Sequence, residues 1–508
     1  MKKHRHGICL LLSLLCALLP LFSLRAACAD IRISVSPSAD ARIWEGWGSS
    51  LCWWANRLGY CDTLAQQAAD LFFGSDGLRM NIMRYNIGGG DDPSHVHITR
   101  TDSAVPGWLV HDAASQSYTY DFNADGRQLN VLRRSVCAAG ENALVEVFSN
   151  SPPYFMTVSG CSSGALNASD NNLRSDCREA FADYLAQVTA YIQYDLGIPV
   201  HSLSPMNEPD TDYWQALSPK QEGCHIDPGE DQSLLILAVR QALDRHHLDH
   251  VILAASDETS PQKQIAEYKA YSDAAKKSLG RINTHTYSEK GLASLGRLSR
   301  QEGFSLWMSE VDGSGTAGRG AGEMGAALWM GQKIISDIRG LSPSAWVMWQ
   351  VIDNHISSEG FAGNRDFGMV DPNQGYWGVA VADHDNQTIL LTQKYYGLGQ
   401  FTRYIRPGSI LIPCGKDALA AYSPDRSELV IVVLNTSGRE QAFRADLSAF
   451  SLSSLSVEAV RTSGSMQDGE HWTLLPAIPL NGSALSASLP ANSITTFILA
   501  DVHPFSVP

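Results

Sequence analysis

Two glutamates stand in sequence settings that suit acid–base or nucleophilic chemistry. Glu208 lies in an Asn-Glu-Pro triplet after a short apolar run, and Glu310 lies in a Ser-Glu pair after another. A single glutamate at the end of a strand is usually a solvated loop carboxylate, but two in matching positions favour a paired site. Such a pair can cleave a glycosidic bond, because one carboxyl protonates the leaving oxygen while the other attacks the anomeric carbon or activates a water.

The elements that would position these glutamates alternate in type along the chain. Short β-rich runs and helical stretches follow one another from residue 46 to about 350, which predicts a (β/α)8 barrel, with an open doubly wound sheet as the alternative. The eight strands are predicted at Gly46–Ser50, Asn81–Ile87, Leu144–Asn150, Ser202–Met206, Val251–Ser256, Ile282–Tyr287, Ser305–Val311 and Ala345–Val351. Helices are predicted at Leu64–Phe73, Arg178–Tyr194, Ser233–Arg245, Ile265–Leu279 and Gly322–Ile338.

The barrel prediction places both glutamates on one face. Catalytic residues of such barrels project from the carboxyl ends of the strands, so Glu208 after the fourth strand and Glu310 after the seventh would face each other. Arg84 would then lower the pKa of Glu310 by its charge, and Asn207 would hold a sugar hydroxyl. Asp91 is a further candidate for substrate binding. Tryptophans are core residues by default, but four of them are candidates for stacking on sugar rings, namely Trp53, Trp54, Trp214 and Trp349.

Neither a metal nor a cofactor is predicted from the remaining motifs. His95 and His97 form an HVH motif, but no further ligand stands at a recognised spacing, which favours a surface or loop role. The stretch GSGTAG at 313–318 matches the dinucleotide fingerprint. It follows the seventh strand rather than the first, so an NAD-dependent oxidoreductase is a minor alternative.

The C-terminal part of the chain has a different pattern. From about Ile405 short alternating strands separated by Gly, Ser and Asn turns replace the helices, which predicts an antiparallel β-sandwich. Residues 31–36 alternate in the same way and are expected to join that sheet. The predicted organisation is therefore an N-terminal strand within 30–45, a catalytic barrel over 46–400 and a β-sandwich over 401–508.

The N-terminus has the features of a signal peptide. A basic start, an apolar run and the small-x-small stretch Ala27-Cys28-Ala29 predict a signal over 1–29 and a secreted or periplasmic protein. A lipid anchor at Cys28 is the less favoured alternative, since Arg25 stands where an aliphatic residue is needed. No later apolar run predicts membrane insertion. Removal of 1–29 takes away four basic and no acidic residues, so the formal charge changes from −15 to −19, which argues against a nucleic acid partner.

Seven cysteines remain after residue 29. Export to an oxidising compartment would allow some of them to pair. Cys161–Cys177 and Cys52–Cys61 are the short-range candidates, although sequence alone does not fix connectivity. An odd number leaves at least one thiol free or intermolecular.

Motifs along the chain resemble those of glycoside hydrolase family 30, and most closely its endo-β-1,6-galactanase-like branch. In chain order these motifs are GWGSSLCWWA, RYNIGGGDDPSH, SNSPPYFMTVSGCSSG, PMNEP, QEGC, ASDE and SEVDG. The resemblance implies a (β/α)8 barrel with a side β-sandwich, cleavage with retention and no cofactor. It also implies that Glu208 is the acid/base, that Glu310 is the nucleophile, and that four residues surround the reacting sugar, namely Arg84, Asn207, Tyr287 and Trp349.

The same resemblance implies a substrate class. Asn150 stands where many members of the family have tryptophan, and it suits the galactanase-like branch. The expected substrate is the β-1,6-galactan side chain of arabinogalactan, bound as a polysaccharide or oligosaccharide by a monomeric enzyme. β-1,6-Glucanase, xylanase, glycolipid hydrolase and exo-acting β-1,6-galactobiohydrolase activities are the alternatives within the family. A non-catalytic carbohydrate-binding protein is the alternative of another class, and endo or exo action stays open.

Overall fold

Eight parallel strands of the computed structural model close into a barrel, in the order in which they occur along the chain. Residues 31–37, 42–100, 102–112, 114–312, 320–361, 364–367 and 377–505 are described. The predicted signal peptide and the GSGTAG stretch lie outside them. Barrel strands 1 to 8 are Gly46–Ser50, Ile82–Asn86, Leu144–Phe148, Val200–Ser204, Ile252–Glu258, Arg281–His285, Ser305–Glu310 and Ala345–Met348. The predicted fold class is confirmed.

The pairing of strand 8 with strand 1 closes the barrel. Strand 8 pairs with strand 1, with Ala345 opposite Gly46, and every residue of strands 1, 2, 6 and 8 is buried. Strand 4 ends earlier than predicted, at Ser204, because Pro205 has no N–H to continue the ladder. The residues after Ser204 are therefore free to turn into the mouth of the barrel.

Helices surround the barrel and cover its outer face. They span Trp54–Leu58, Asp62–Phe72, Gly126–Ala139, Arg178–Ala190, Glu230–Arg245, Pro261–Ala270, Asp273–Ser278, Leu292–Gln301, Met324–Leu341 and Gln393–Thr402, with a π-helical turn at Tyr191–Asp195 and 3-10 turns at Gly140–Asn142, Tyr154–Met156 and Ser175–Cys177. The single helix predicted over Ile265–Leu279 is wrong. Tyr271 is extended, and Ser272 caps a second helix by accepting from the backbone N–H of Ala275, so two helices form.

The C-terminal strands form two facing antiparallel sheets. One contains Ile410–Pro413, Ala418–Ser423, Glu428–Asn435, Ser493–Leu499, Ser456–Ser463, Glu470–Leu474 and Ile478–Pro479. The other contains Gln441–Asp446 antiparallel to Ala484–Leu489, and Ile31–Ser34 joins its edge, as predicted, by pairing parallel with Gln441–Asp446. Phe443 and Phe497 stack between the two sheets with ring centroids 5.2 Å apart.

The helix Gln393–Thr402 connects the barrel and the sandwich. It runs across the predicted boundary between residues 400 and 401. The indole N–H of Trp472 donates to the carbonyl of Tyr396 at 2.7 Å, and the indole N–H of Trp47 in barrel strand 1 donates to the carbonyl of Ile405 at 2.8 Å. The two units therefore share buried contacts around this helix.

Further short strands were not predicted from the sequence. A four-stranded sheet contains Ile352–Phe361, Asn364–Phe367, Ala380–Asp383 and Thr388–Leu391, and two small pairs join Leu109–Asp112 to Ser117–Tyr120 and Phe450–Leu452 to Val502–Pro504. Across the described ranges, no helix combines the length and apolar character that crossing a membrane requires.

All seven described cysteines are unpaired. The Cys161–Cys177 and Cys52–Cys61 pairs considered from the sequence are therefore not formed. The sulfur of Cys161 lies 3.2 Å from the hydroxyl of Ser163 and 3.6 Å from the imidazole of His97.

Candidate active site

Glu208 lies in the turn that follows barrel strand 4, and backbone contacts fix its position. Its φ angle of 50° is in the left-handed region, which costs a residue other than glycine about 1–3 kcal/mol. Three hydrogen bonds offset this cost. Its N–H donates to the carbonyl of Asp257 at 3.0 Å, and its own carbonyl accepts from the Thr211 hydroxyl and the Trp214 indole, each at 3.0 Å. The turn therefore aims the carboxyl group into the mouth of the barrel.

Glu310 ends barrel strand 7, and two donors hold its carboxylate. Arg84 donates to Oε2 at 2.6 Å, and the hydroxyl of Tyr287 donates to Oε1 at 3.0 Å. Only 4% of Glu310 is exposed. A carboxylate held at both oxygens presents one orientation to a substrate, which is what a nucleophile requires.

His285 lies between the two glutamates. Its Nδ1 is 3.0 Å from Oε1 of Glu208 and 3.6 Å from Oε1 of Glu310, and its Nε2 is 3.2 Å from Oδ1 of Asp257. One carboxyl oxygen of Glu208, one of Glu310 and a ring nitrogen of His285 all lie within 4.8 Å of one another. The two carboxyl groups are thus near neighbours.

Buried charges surround Glu310 and set its pKa. Burial raises the pKa of Glu310, while the charges of His285 and Arg84 act to lower it, and the net direction is upward. The charge of Arg84 therefore acts to lower the pKa of Glu310, as predicted, but its effect is smaller than that of burial. Burial alone would lower the pKa of His285, but Glu310 and Asp257 raise it to about 10, so this imidazole is cationic at neutral pH.

A second layer of charge holds Arg84 in place. Its guanidinium contacts Asp257, donates to Oδ1 of Asn207 at 2.9 Å and lies 3.6 Å from the ring centroid of Phe148. Burial raises the pKa of Asp257, but Arg84 and His285 bring it well below its usual value. Beneath this layer Arg281 pairs with Glu146, whose Oε1 lies 3.5 Å from Nε of Arg84. Anions and cations alternate through the network, which fixes Arg84 under Glu310.

A cavity of about 430 Å³ opens above the glutamates. Aromatic side chains form much of its wall, and amide, hydroxyl and charged groups fill the remainder. Besides Glu208 and Glu310, the lining residues are Arg100, Asn207, Tyr213, Trp214, Lys220, Gln221, Thr259, Tyr287, Asp312, Trp349, Gln350 and Trp377. Flat apolar faces beside polar groups are the surface that a sugar ring requires, because a pyranose has an apolar face and a polar rim.

The structure brings six of the residues predicted for the site together. Glu208, Glu310, Asn207, Tyr287 and Trp349 line the cavity, and Arg84 lies directly beneath Glu310. Trp214, which the sequence suggested as a candidate for stacking on sugar rings, also lines the cavity.

Four other predicted residues lie elsewhere. Trp54 is buried in the hydrophobic core, edge-on to Phe72, because it begins the helix Trp54–Leu58. Trp53 packs edge-on behind Trp349 at 4.9 Å and does not line the cavity.

Asp91 and Asn150 also lie outside the cavity lining. Asp91 turns towards His95 and His97. Asn150 is 2% exposed, and neither its amide nitrogen nor its amide oxygen has a hydrogen-bond partner among the described residues.

Among the residues of the site that were not predicted, His285, Asp257 and Tyr213 contact Glu208 or Arg84 directly. The barrel prediction could have identified His285 and Asp257, because both lie at the carboxyl end of a barrel strand. His285 is close in sequence to the predicted site residue Tyr287, and Asp257 lies in the ASDE motif. Tyr213 donates to Oε2 of Glu208 from a loop without regular structure, and no periodicity in the sequence indicates it.

Replacement of His285 by glutamine is expected to move the acid limb of the profile of kcat/KM against pH to higher pH. The variant removes a cation that lowers the pKa of Glu310, so this carboxyl would stay protonated to a higher pH. A shift of about 1–3 pH units is expected from the loss of a close cation. A His503→Gln variant, changed at an exposed position of the C-terminal strand Val502–Pro504, is the matched control. An acid limb that stays in place or moves to lower pH would contradict this role.

Comparison with known proteins supplies independent findings. Residues 30–260 match the family model described as O-Glycosyl hydrolase family 30. The chain is 31% identical to an endo-beta-1,6-galactanase of Hypocrea rufa, over 95% of this chain and 97% of the relative. It is 26% identical to an exo-beta-1,6-galactobiohydrolase of Bifidobacterium longum subsp. longum, over 82% of this chain but 35% of that protein.

Solved structures share the fold. The catalytic domain of GH30 xylanase C from Talaromyces cellulolyticus superposes with a TM-score of 0.67 at 19% identity, over 92% of this chain and 100% of that one. At 19% identity this similarity shows a shared fold, a barrel with side sheets, and nothing more.

Proposed function

Because the chain belongs to glycoside hydrolase family 30, we propose that it is an endo-β-1,6-galactanase that cleaves β-1,6-galactan side chains of arabinogalactan with retention of configuration. The observation that carries the retaining mechanism is the distance of at most 4.8 Å between an oxygen of Glu208 and an oxygen of Glu310. Retaining enzymes separate their carboxyl groups by about 5–5.5 Å, whereas inverting enzymes need about 6.5–9.5 Å to admit a water.

The proposed reaction has two displacements. Glu310 attacks the anomeric carbon while Glu208 donates its proton to the glycosidic oxygen, and the leaving sugar departs with that proton. A water then enters, Glu208 takes one of its protons, and the oxygen attacks the anomeric carbon and releases Glu310. Arg84 and Tyr287 hold the Glu310 oxygens throughout, at 2.6 and 3.0 Å.

The charges around the pair support this division of roles. Three buried cations, Arg84, Arg281 and His285, lie among the carboxylates of Glu146, Asp257 and Glu310. These charges balance when all three carboxylates are ionised. An ionised Glu310 completes this balance, which suits a nucleophile.

The proposed substrate rests on the named relatives and on the cavity. Both curated relatives are named for β-1,6-linked galactan. Trp214, Trp349 and Trp377 offer stacking surfaces beside the polar groups of Asn207 and Gln221. Exo action that releases galactobiose is the second candidate, favoured by the relative from Bifidobacterium. We further propose that the enzyme is exported by its signal at 1–29 and acts as a monomer.

Product analysis on reduced β-1,6-galacto-oligosaccharides of defined length tests the proposal. We expect internal cleavage, and NMR spectra recorded within the first minutes should show the β-anomer of each new reducing end before mutarotation. β-1,6-Glucan, β-1,3-galactan and xylan serve as matched substrates and should be cleaved much more slowly. An initial α-anomer would refute retention, and preferred cleavage of one of the matched substrates would refute the galactanase assignment. Release of galactobiose alone would establish the exo alternative.

A further inference from the structure

Four side chains with metal-binding atoms meet beside the barrel mouth, outside the catalytic pair. Asp91, His95 and His97 come from the loop after barrel strand 2, and Cys161 comes from the loop after barrel strand 3. Their ligand atoms all lie within 4.8 Å of one another. Asp91, expected from the sequence to bind substrate, is a member of this cluster and lies outside the cavity lining.

Four of the six separations among these atoms are close to the edges of a tetrahedron, and the other two are at most 4.8 Å. Oδ2 of Asp91 lies 3.2 Å from Nδ1 of His95 and 3.4 Å from Nε2 of His97. The sulfur of Cys161 lies 3.6 Å from Nε2 of His97 and 4.0 Å from Oδ2 of Asp91. A four-coordinate zinc ion with bonds of about 2.0–2.3 Å separates neighbouring ligand atoms by roughly 3.3–3.8 Å. A single ion at the centre would therefore reach all four atoms with small adjustments.

Hydrogen bonds from surrounding residues orient two of these side chains. The backbone N–H of Leu217 donates to the sulfur of Cys161 at 3.4 Å, and the hydroxyl of Ser163 lies 3.2 Å from the same sulfur. The backbone N–H of Ser162 donates to Oδ1 of Asp91 at 2.9 Å, which turns Oδ2 towards the histidines. Outer contacts of this kind fix the ligands of protein metal sites.

We propose that Asp91, His95, His97 and Cys161 bind a structural zinc ion, a site beyond the proposed glycosidase function. A thiolate and two imidazoles are soft or borderline ligands, which favour zinc over calcium or magnesium. Four protein ligands close the coordination shell, and a closed shell is typical of a structural zinc site rather than a catalytic one. The ion would therefore not take part in sugar chemistry directly.

The proposed ion would tie two loops together at the mouth of the barrel and support a third that hydrogen-bonds to one of them. Leu217, which contacts the sulfur of Cys161, belongs to the loop after strand 4 that also contributes Trp214 to the cavity. The backbone N–H of Ala165 in the Cys161 loop donates to the carbonyl of Trp214 at 3.1 Å. Zinc would thus hold the wall that carries Trp214.

Metal content of the protein, purified without a polyhistidine tag after expression with added zinc, tests the proposal. Mass spectrometry with an inductively coupled plasma is expected to find about one zinc ion per chain after dialysis against metal-free buffer. Asp91→Asn and Cys161→Ser should lose most of this zinc. Cys137→Ser, which changes an exposed cysteine outside the cluster, is the matched control and should keep it.

Two measurements on the unmodified protein keep the test decisive if a variant fails to fold. Removal of zinc with a chelator should lower Tm by at least about 3 °C, and added Zn²⁺ should restore it. Cobalt in place of zinc should give strong visible bands and a near-ultraviolet thiolate charge-transfer band, which are the signature of four-coordinate Co²⁺ with a sulfur ligand. Neither readout depends on glycosidase activity, so this proposal and the proposed function can fail separately.

Three results would overturn the zinc site. The first is a zinc content below about 0.1 per chain after incubation with Zn²⁺, against the single ion expected for a structural site. The second is a weak six-coordinate cobalt spectrum without a charge-transfer band. The third is a disulfide that contains Cys161, identified by peptide mapping under non-reducing conditions.

Discussion

Glutamine in place of Glu310 is expected to lower kcat on β-1,6-galacto-oligosaccharides by a factor on the order of 10⁴–10⁶, as loss of a nucleophile does in other hydrolases. The amide keeps the shape of the side chain and can still contact Tyr287, but it cannot attack the anomeric carbon. Arg84 would also lose its ion pair with the carboxylate, which lies 2.6 Å from its guanidinium in the native protein. Steady-state rates on one oligosaccharide, with KM measured beside kcat, check this expectation.

A chemical rescue distinguishes loss of the nucleophile from general damage. Azide with an activated β-galactoside should restore turnover of a Glu310→Ala variant and yield the α-galactosyl azide, because azide attacks from the space that the shortened side chain leaves empty. A Glu179→Gln variant, changed at an exposed position in the first turn of the helix Arg178–Ala190, should retain activity within about twofold. Normal turnover by Glu310→Gln on every galactan tested would remove Glu310 from the mechanism.

The barrel and its catalytic pair could be predicted because both depend on local patterns. A buried strand of a parallel sheet is a short apolar-rich run, and the strand Leu144–Phe148, with the sequence LVEVF, begins at the predicted residue. Once eight such runs are placed in order, the positions of Glu208 and Glu310 at the mouth follow from the geometry of any (β/α)8 barrel.

The surroundings of the pair were harder to predict, because residue type does not reveal which way a side chain faces. Trp54 and Trp349 are both tryptophans that follow a barrel strand, yet Trp54 is buried in the core while Trp349 lines the cavity. The difference arises from the helix Trp54–Leu58, whose start turns Trp54 towards Phe72. Short loops set such directions, and their conformations have no periodic signal.

The cluster around Asp91 could not be predicted either, because its members are far apart in the sequence. The sequence shows no further metal ligand near His95 and His97, because their partner Cys161 lies 64 residues beyond His97. Only the adjacent positions of strands 2 and 3 in the barrel bring the two loops together. Ligand spacing in a sequence detects metal sites built from one segment, and this one is built from two.

Glutamine in place of Glu208 is expected to affect substrates according to their leaving groups. On β-1,6-galactan, kcat/KM should fall by about 10²–10⁴, because the departing sugar oxygen needs a proton. On a dinitrophenyl galactoside, whose leaving group needs none, kcat/KM should change little. The amide can keep contacts with His285 and Tyr213, which bind the carboxyl group in the native protein. The comparison therefore isolates proton transfer from the placement of the side chain.

The second half of the reaction gives a further test of the same residue. Glu208 also removes a proton from the attacking water, so kcat of the variant on the dinitrophenyl galactoside should fall although kcat/KM does not. The glycosyl-enzyme should then accumulate, visible as a burst of dinitrophenol and as added mass on a peptide that contains Glu310. Azide should release it as the β-galactosyl azide, the opposite anomer to that expected from Glu310→Ala. Equal losses of kcat/KM on activated and natural substrates, without a burst, would assign proton transfer to another group.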